Sequence, residues 1–127
     1  MSDYQQSQRR IQALSLLEKI EPGAPERVAK NLDAFHPDMV EIALGFAFTD
    51  VLSRPGIDLK TREMLTVAML AAMGKASGQL EFHMRGALNT GVTREEIIEI
   101  VLQVGVYAGI PAAMNAISSA KAVFESR

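Results

Sequence analysis

The chain has 127 residues, a formal net charge of −2 and 48% hydrophobic residues, and it contains no cysteine. This length suffices for one domain with its own core, and the lack of cysteine excludes disulfides, thiolate metal sites and cysteine nucleophiles within the chain. The polar start lacks the apolar segment of a secretory signal, no run approaches the roughly 20 apolar residues of a membrane span, and no basic face is available for nucleic acid. We therefore expect a cytoplasmic protein without membrane or nucleic-acid partners.

Helical patterns follow one another along the whole chain, separated by proline and glycine. The apolar spacing and the capping residues predict helices over about 6–20, 25–35, 37–53, 59–74, 77–90 and 94–108, with a last helix after Pro111. No segment combines period-two alternation with turn chemistry. The sequence therefore predicts an all-α fold of six to seven helices in a single domain, 1–127.

The third and fourth predicted helices are rich in apolar side chains. The inner side of the third is predicted to consist of Met39, Ala43, Phe46, Ala47 and Val51. The fourth is apolar all round, which predicts burial on every side. A chain of this size has difficulty covering such helices alone, so we expect a homo-oligomer; the alternative is a well-packed monomer.

The fifth helix places a histidine on an apolar face. His83 shares this face with Leu80, Met84, Ala87 and Leu88, because their offsets match helical spacing. Gly91 then suits the end of this helix, and the sequence from Thr93 to Glu96 forms a capping box that begins the next. An imidazole gains or loses a proton near neutral pH, so His83 is the first candidate for chemistry; the alternative is a core histidine bonded to a carbonyl or carboxylate.

The sequence gives little support to a P-loop or to a common metal-binding motif. The Gly74-Lys75 pair lacks the remaining glycine of a P-loop, and Leu80 stands where a Glu-x-x-His metal motif needs its glutamate. A metal held by His83, Glu63 and a third group stays open. His36 precedes a proline at a helix boundary, where a surface or capping role is expected.

Four blocks resemble the carboxymuconolactone decarboxylase family in order and spacing, over a core of about 37–125. They are Arg54-Pro55-Gly56-Ile57-Asp58, Thr61-Arg62-Glu63-Met64-Leu65-Thr66, His83-Met84-Arg85-Gly86-Ala87-Leu88-Asn89-Thr90-Gly91 and Tyr107-Ala108-Gly109-Ile110-Pro111-Ala112-Ala113. The resemblance implies an alkylhydroperoxidase D-like helical fold and a hexamer of paired subunits.

The two branches of that family imply different chemistries. The alkylhydroperoxidase D-like branch uses a CxxC pair, but the matching stretch here is Ala76-Ser77-Gly78-Gln79. The decarboxylase branch removes CO2 from γ-carboxymuconolactone in protocatechuate-type aromatic degradation, without metal or cofactor. This chain departs from that branch as well, because it lacks a tryptophan-rich stretch before Arg54 and has Glu63 where a serine is usual.

The resemblance to the decarboxylase branch implies roles for five residues. His83 would donate the proton, and Glu63 would hydrogen-bond the imidazole or act as a base. Arg85 and Arg54 would bind substrate carboxylates, although Arg85 points about 200° away from His83 on an ideal helix. Tyr107 would supply a hydroxyl at the pocket edge.

Each of these roles has a structural alternative. Glu63 near a helix start can simply complement the helix dipole, the arginines can form surface ion pairs, and Tyr107 can be a packing residue. For the whole chain, the expected function is a cofactor-independent decarboxylase-like lyase acting on a small carboxylate. The alternatives are a cysteine-less relative of the peroxidase branch and a non-catalytic helical oligomer that binds small molecules.

Overall fold

The computed structural model describes residues 7–75 and 77–127. These residues form seven helices and no strand, which confirms the all-α prediction. The helices are α1 (Gln8–Ile20), α2 (Ala24–Phe35), a π-helix (Val40–Leu52), α3 (Leu59–Met73), α4 (Ser77–Asn89), α5 (Arg94–Ala108) and α6 (Ile110–Glu125). Within the described ranges, none of these helices is long and apolar enough to cross a membrane.

The contacts divide the chain into two compact units, Met1–Ile57 and Asp58–Arg127. The assignment of all 127 residues to one domain stays a prediction. In the N-terminal unit, α1 packs on the π-helix and on α2. Arg10 reaches from α1 to Asp33 on α2 with two hydrogen bonds of 3.0 and 2.9 Å. These bonds hold the pKa of the Asp33 carboxyl below its usual range.

The third helix is wound differently from the prediction. It is a π-helix, in which a backbone N–H bonds to the fifth residue before it rather than the fourth, and the Ser53 N–H extends this pattern to the Phe48 carbonyl at 3.0 Å. The wider turn changes which side chains share a face. Val40, Gly45 and Phe48 are the buried residues, whereas Ala43 and Phe46, predicted to face inward, are exposed; that part of the prediction was wrong.

The C-terminal unit is built around α3–α6. Val67 and Ala71 of α3, Leu80, Met84 and Ala87 of α4, Ile97, Val101 and Val104 of α5, and Ala116 and Val123 of α6 belong to one core cluster. The Asp58 side chain caps α3 by accepting the Thr61 N–H at 2.8 Å. Between α5 and α6 the only connecting residue is Gly109, whose φ of 98° and ψ of 159° lie in a region that other residues rarely adopt.

Predicted burial of α3 on every side is wrong for the single chain. Its buried residues form one stripe, Glu63, Val67 and Ala71, because the neighbouring helices of the unit cover that side. The opposite side leaves apolar groups in contact with solvent. The exposed apolar side chains of the whole C-terminal unit include Leu65, Met69 and Met73 on α3, Ile98, Leu102 and Val106 on α5, and Ile110, Met114 and Ile117 on α6.

The predicted capping box at the start of α5 is present. The Glu96 N–H donates to Thr93 Oγ1 at 3.0 Å, and the Thr93 N–H donates to Glu96 Oε1 at 2.9 Å. Lys60 adds an ion pair, with its Nζ 3.3 Å from Glu96 Oε2. The Thr93 N–H and then Lys60 hold the pKa of Glu96 below its ordinary 4.5.

We expect the capping contribution of Glu96 to disappear in acid. Since its pKa is lower in the folded protein, this contribution is complete above pH 4.5 and is lost as the pH falls through the folded pKa. Denaturant unfolding at a series of pH values should therefore show wild type more stable than Glu96→Gln at neutral pH, with the difference shrinking below pH 4.5. Glu95→Gln removes the same charge from the neighbouring position and is the control. A difference that stays constant into strong acid would contradict the prediction.

Candidate active site

The packing of α3 on α4 brings Glu63 and His83 together. Nδ1 of His83 lies 3.0 Å from Oε1 of Glu63, although the two residues are 20 positions apart. Glu63 is fully buried and His83 is 9% exposed. A carboxylate and an imidazole are thus held against one another at the boundary between the core and the surface.

Glu63 and His83 are each positioned by the helix that carries them. The predicted face of α4 is confirmed, since Leu80, His83, Met84 and Ala87 are all buried and Leu88 is partly buried against the core. Asp58 caps α3, so Glu63 is the fifth helical residue and lies beyond the first turn. The alternative in which Glu63 merely complements the helix dipole is therefore wrong, because its side chain points into the core and bonds to His83.

The hydrogen bond determines which ring nitrogen is available for chemistry. Either Nδ1 of His83 or Oε1 of Glu63 donates in this contact, according to the tautomer of the ring. Nε2 is the ring nitrogen that the contact leaves open. Oε2 of Glu63 is buried and has no hydrogen-bond partner among the described residues. A buried acceptor without a donor is unfavourable, so it calls for an explanation such as a catalytic role or a bound water.

An aromatic ring borders the pair, and sequence reasoning did not select it. The Phe82 ring meets the His83 ring edge-on, with centroids 5.2 Å apart. The Arg85 guanidinium lies over the same Phe82 ring, 5.9 Å from its centroid. Arg85 is thus placed beside the aromatic neighbour of His83. The adjacency of Phe82 to His83 in the sequence was the available signal.

Two other predicted site residues lie elsewhere. Tyr107 is 93% exposed and lines an apolar groove between α3 and α5 together with Met64, Leu65 and Met69. Neither Glu63 nor His83 lines that groove. Arg54 is exposed in the turn that ends the N-terminal unit, and its place relative to His83 stays a prediction.

Among the described residues, no cluster of potential metal ligands surrounds the pair. Over residues 7–75 and 77–127, no group of three or more His, Asp or Glu side chains is arranged to hold a metal ion. What the pair itself offers is acid–base chemistry: a ring nitrogen that exchanges a proton and a buried carboxylate that holds the ring.

Fold and pair together define an all-helical protein with a buried contact between a carboxyl group and an imidazole, Glu63 and His83. The family model for carboxymuconolactone decarboxylases matches residues 37–122, a range that includes both members of the pair. The chain belongs to the carboxymuconolactone decarboxylase family, which confirms the resemblance found in the sequence.

Three relatives illustrate the range of the family. The chain is 38% identical to 4-carboxymuconolactone decarboxylase of Acinetobacter baylyi over 78% of its own length and 73% of the relative. It is 38% identical to the nitrosuccinic acid decarboxylase of Metarhizium robertsii over 72% of its length and 63% of the relative. An uncharacterized 15.0 kDa protein of Paracoccus denitrificans is 34% identical over 85% of this chain and 76% of the relative.

Proposed function

We propose that the protein is a decarboxylase that removes CO2 from a small carboxylic acid at the His83–Glu63 pair, with γ-carboxymuconolactone as the first substrate to test. The observation that carries this proposal is the buried contact of 3.0 Å between Nδ1 of His83 and Oε1 of Glu63. Two relatives whose names describe decarboxylases of different small acids support the reaction type. With this lactone, the reaction would belong to the breakdown of aromatic acids.

The chemistry requires a proton donor and a place for developing negative charge. In γ-carboxymuconolactone, the bond between the ring carbon and the departing carboxylate breaks, and its electron pair spreads through the ring double bond to the lactone carbonyl oxygen. A carbon of this anion must then take up one proton as CO2 leaves. A positioned general acid accelerates such a step by roughly 10² to 10⁴-fold.

His83 is the proton donor in this proposal. In its doubly protonated form it keeps Nδ1–H on Glu63 and gives the proton on Nε2 to the substrate carbon. The ring is left neutral, still bonded to Glu63, and takes its next proton from water. Glu63 is a positioning residue, since it fixes the ring orientation and compensates the imidazolium charge in a buried setting.

The substrate carboxylates need cationic partners. Arg85 is proposed for this role because it lies over the Phe82 ring that borders His83. Arg54 and Tyr107 are also proposed to bind substrate, because they stand in sequence blocks that match those of the family. Both are exposed in the single chain, so in this proposal they would bind substrate at the site of a neighbouring subunit.

The test is direct. Purified protein is mixed with γ-carboxymuconolactone, and the loss of substrate absorbance is followed with and without chelator. We expect turnover at the same rate in both samples. The absence of turnover would overturn this substrate and favour a helical protein that binds a small acid without converting it. Turnover of peroxide with a thiol donor would instead support the cysteine-less peroxidase alternative.

We also propose that the chain assembles with copies of itself, with a hexamer as the expected state. The exposed apolar residues of α3, α5 and α6 support this proposal, because large apolar side chains such as Met69 and Leu102, 59% and 60% exposed, usually mark interaction surfaces. The groove between α3 and α5 has a volume of about 450 Å³. A second copy would fill it with side chains of the same apolar character.

Leu102→Glu is expected to break this assembly, since it places a charge in the middle of the apolar surface. Size-exclusion chromatography with light scattering should give a smaller mass for Leu102→Glu than for wild type. Lys30→Glu changes an exposed residue of α2 and should leave the mass unchanged. A wild-type protein with the mass of one chain would disprove the proposed assembly.

A further inference from the structure

A second, polar cavity lies where the end of α3, the start of α4 and the middle of α6 meet. Its volume is about 450 Å³ and it is open to solvent. Polar and charged side chains line most of it: Lys75, Ser77, Glu81, Asn115, Ser118 and Ser119. Neither His83 nor Glu63 lines this cavity, so the proposed decarboxylase site does not account for it.

The cavity continues into a small apolar recess. Ser77, Asn115 and Ser119 line both spaces, and the recess is completed by aliphatic groups of Leu70 and Leu80, among others. The volume of the recess is about 20 Å³, which is enough for a single water-sized group. A ligand here would therefore have a polar body and at most one small apolar substituent.

Ser119 is the observation that points to a ligand. Its side chain is on the buried side of α6, with the residue 5% exposed, yet it lines the cavity wall. Among the described residues no hydrogen bond is made by its hydroxyl, whereas Ser118 next to it donates to the Met114 carbonyl at 3.4 Å. The hydroxyl is therefore left to form a hydrogen bond with a polar ligand in the cavity.

Charges of both signs face the same space. Lys75 precedes α4, and the first N–H groups of α4, beginning at Ser77, add the partial positive charge of a helix N-terminus. Glu81, one turn along α4, supplies a carboxylate. Within the described part of the chain, neither Lys75 nor Glu81 forms an ion pair.

We propose that this cavity binds a small zwitterion of the α-amino-acid type. The ligand carboxylate would lie at the start of α4 near Lys75 and accept from the Ser119 hydroxyl, and the ligand ammonium would bind Glu81. A simple anion would be repelled by Glu81, and a simple cation by Lys75 and the helix start. A short side chain, such as a methyl group, would enter the recess beside Leu80.

L-alanine is the ligand for the test, and propionate and ethylamine are its matched halves. Amide chemical shifts of the full-length protein are followed by NMR during titration with each compound. We expect saturable shifts at Ser77, Gly78 and Glu81 with L-alanine, and binding at least about tenfold weaker for either half, because each lacks one charge-assisted contact. Equal binding of propionate, or no saturable shift with L-alanine, would overturn the proposal.

Ser119→Ala tests the site at its most buried polar group. We expect this variant to bind L-alanine about tenfold more weakly. The melting temperature of the ligand-free protein should stay close to that of wild type, because the hydroxyl makes no hydrogen bond among the described residues. Lys75→Gln should weaken binding similarly, and Lys121→Gln, an exposed lysine of α6 that does not line the cavity, should not. Unchanged binding in Ser119→Ala would contradict the assignment.

Discussion

Replacing His83 with alanine is expected to remove decarboxylation of γ-carboxymuconolactone, with a fall in kcat of roughly 10² to 10⁴-fold. The reason is the loss of the ring nitrogen that delivers the proton, Nε2, from a position fixed by the contact of Nδ1 with Glu63. Steady-state kinetics on wild type and variant, with circular dichroism and mass measurement on both, checks the result. The variant should keep the oligomeric state of wild type.

A second variant separates chemistry from folding. His83→Asn retains an amide that can donate to Oε1 of Glu63, so it preserves the buried hydrogen bond but cannot transfer a proton near neutral pH. We expect it to be folded and as inactive as His83→Ala. His36→Ala is the matched control, because His36 is exposed at the end of α2. Substantial activity in His83→Asn would remove His83 from the mechanism.

The second large effect concerns stability. Exchanging both members of the pair for leucine, Glu63→Leu with His83→Leu, is expected to leave the free energy of unfolding unchanged or to raise it by up to about 4 kcal/mol. The physical reason is the burial of Glu63, which is fully inaccessible and has one oxygen without a partner among the described residues. Urea unfolding of the double variant and wild type measures the difference.

The single variants should behave in the opposite way. Glu63→Leu alone leaves the imidazole buried without its acceptor, and His83→Leu alone leaves a buried carboxylate, each at a cost of about 3–5 kcal/mol. The double variant should therefore be more stable than either single variant and have no decarboxylase activity. A double variant as unstable as the two single ones would show that the pair is needed for the structure itself rather than for function.

Helix boundaries could be predicted from the sequence because local groups set them. The Asp58 cap and the Thr93–Glu96 capping box are hydrogen bonds between residues close in sequence, and Gly91 ends its helix through its own backbone conformation. Such local features can be recognised from the sequence before the tertiary structure is known. The π-helix could not be predicted in this way. Its residues are apolar on several sides, and reading them with α-helical spacing placed Ala43 and Phe46 inside.

The pairing of Glu63 with His83 has a different origin. Helical spacing predicted that His83 faces inward, but it could not supply a partner 20 residues away, since that contact depends on how α3 packs on α4. The family resemblance proposed Glu63, and the structure brings the two together. The polar cavity at the start of α4 was not predicted, because Lys75, Glu81 and Ser119 are unremarkable until three helices bring them to one place.

The one-residue joint at Gly109 has a consequence for molecular recognition. Because a single residue connects α5 to α6, these helices have no flexible loop through which to adjust. Their outward-facing side chains, including Leu102, Val106 and Met114, therefore form a preorganised surface. Binding through this surface costs this protein little backbone freedom, and the shape of a partner must match the angle between α5 and α6.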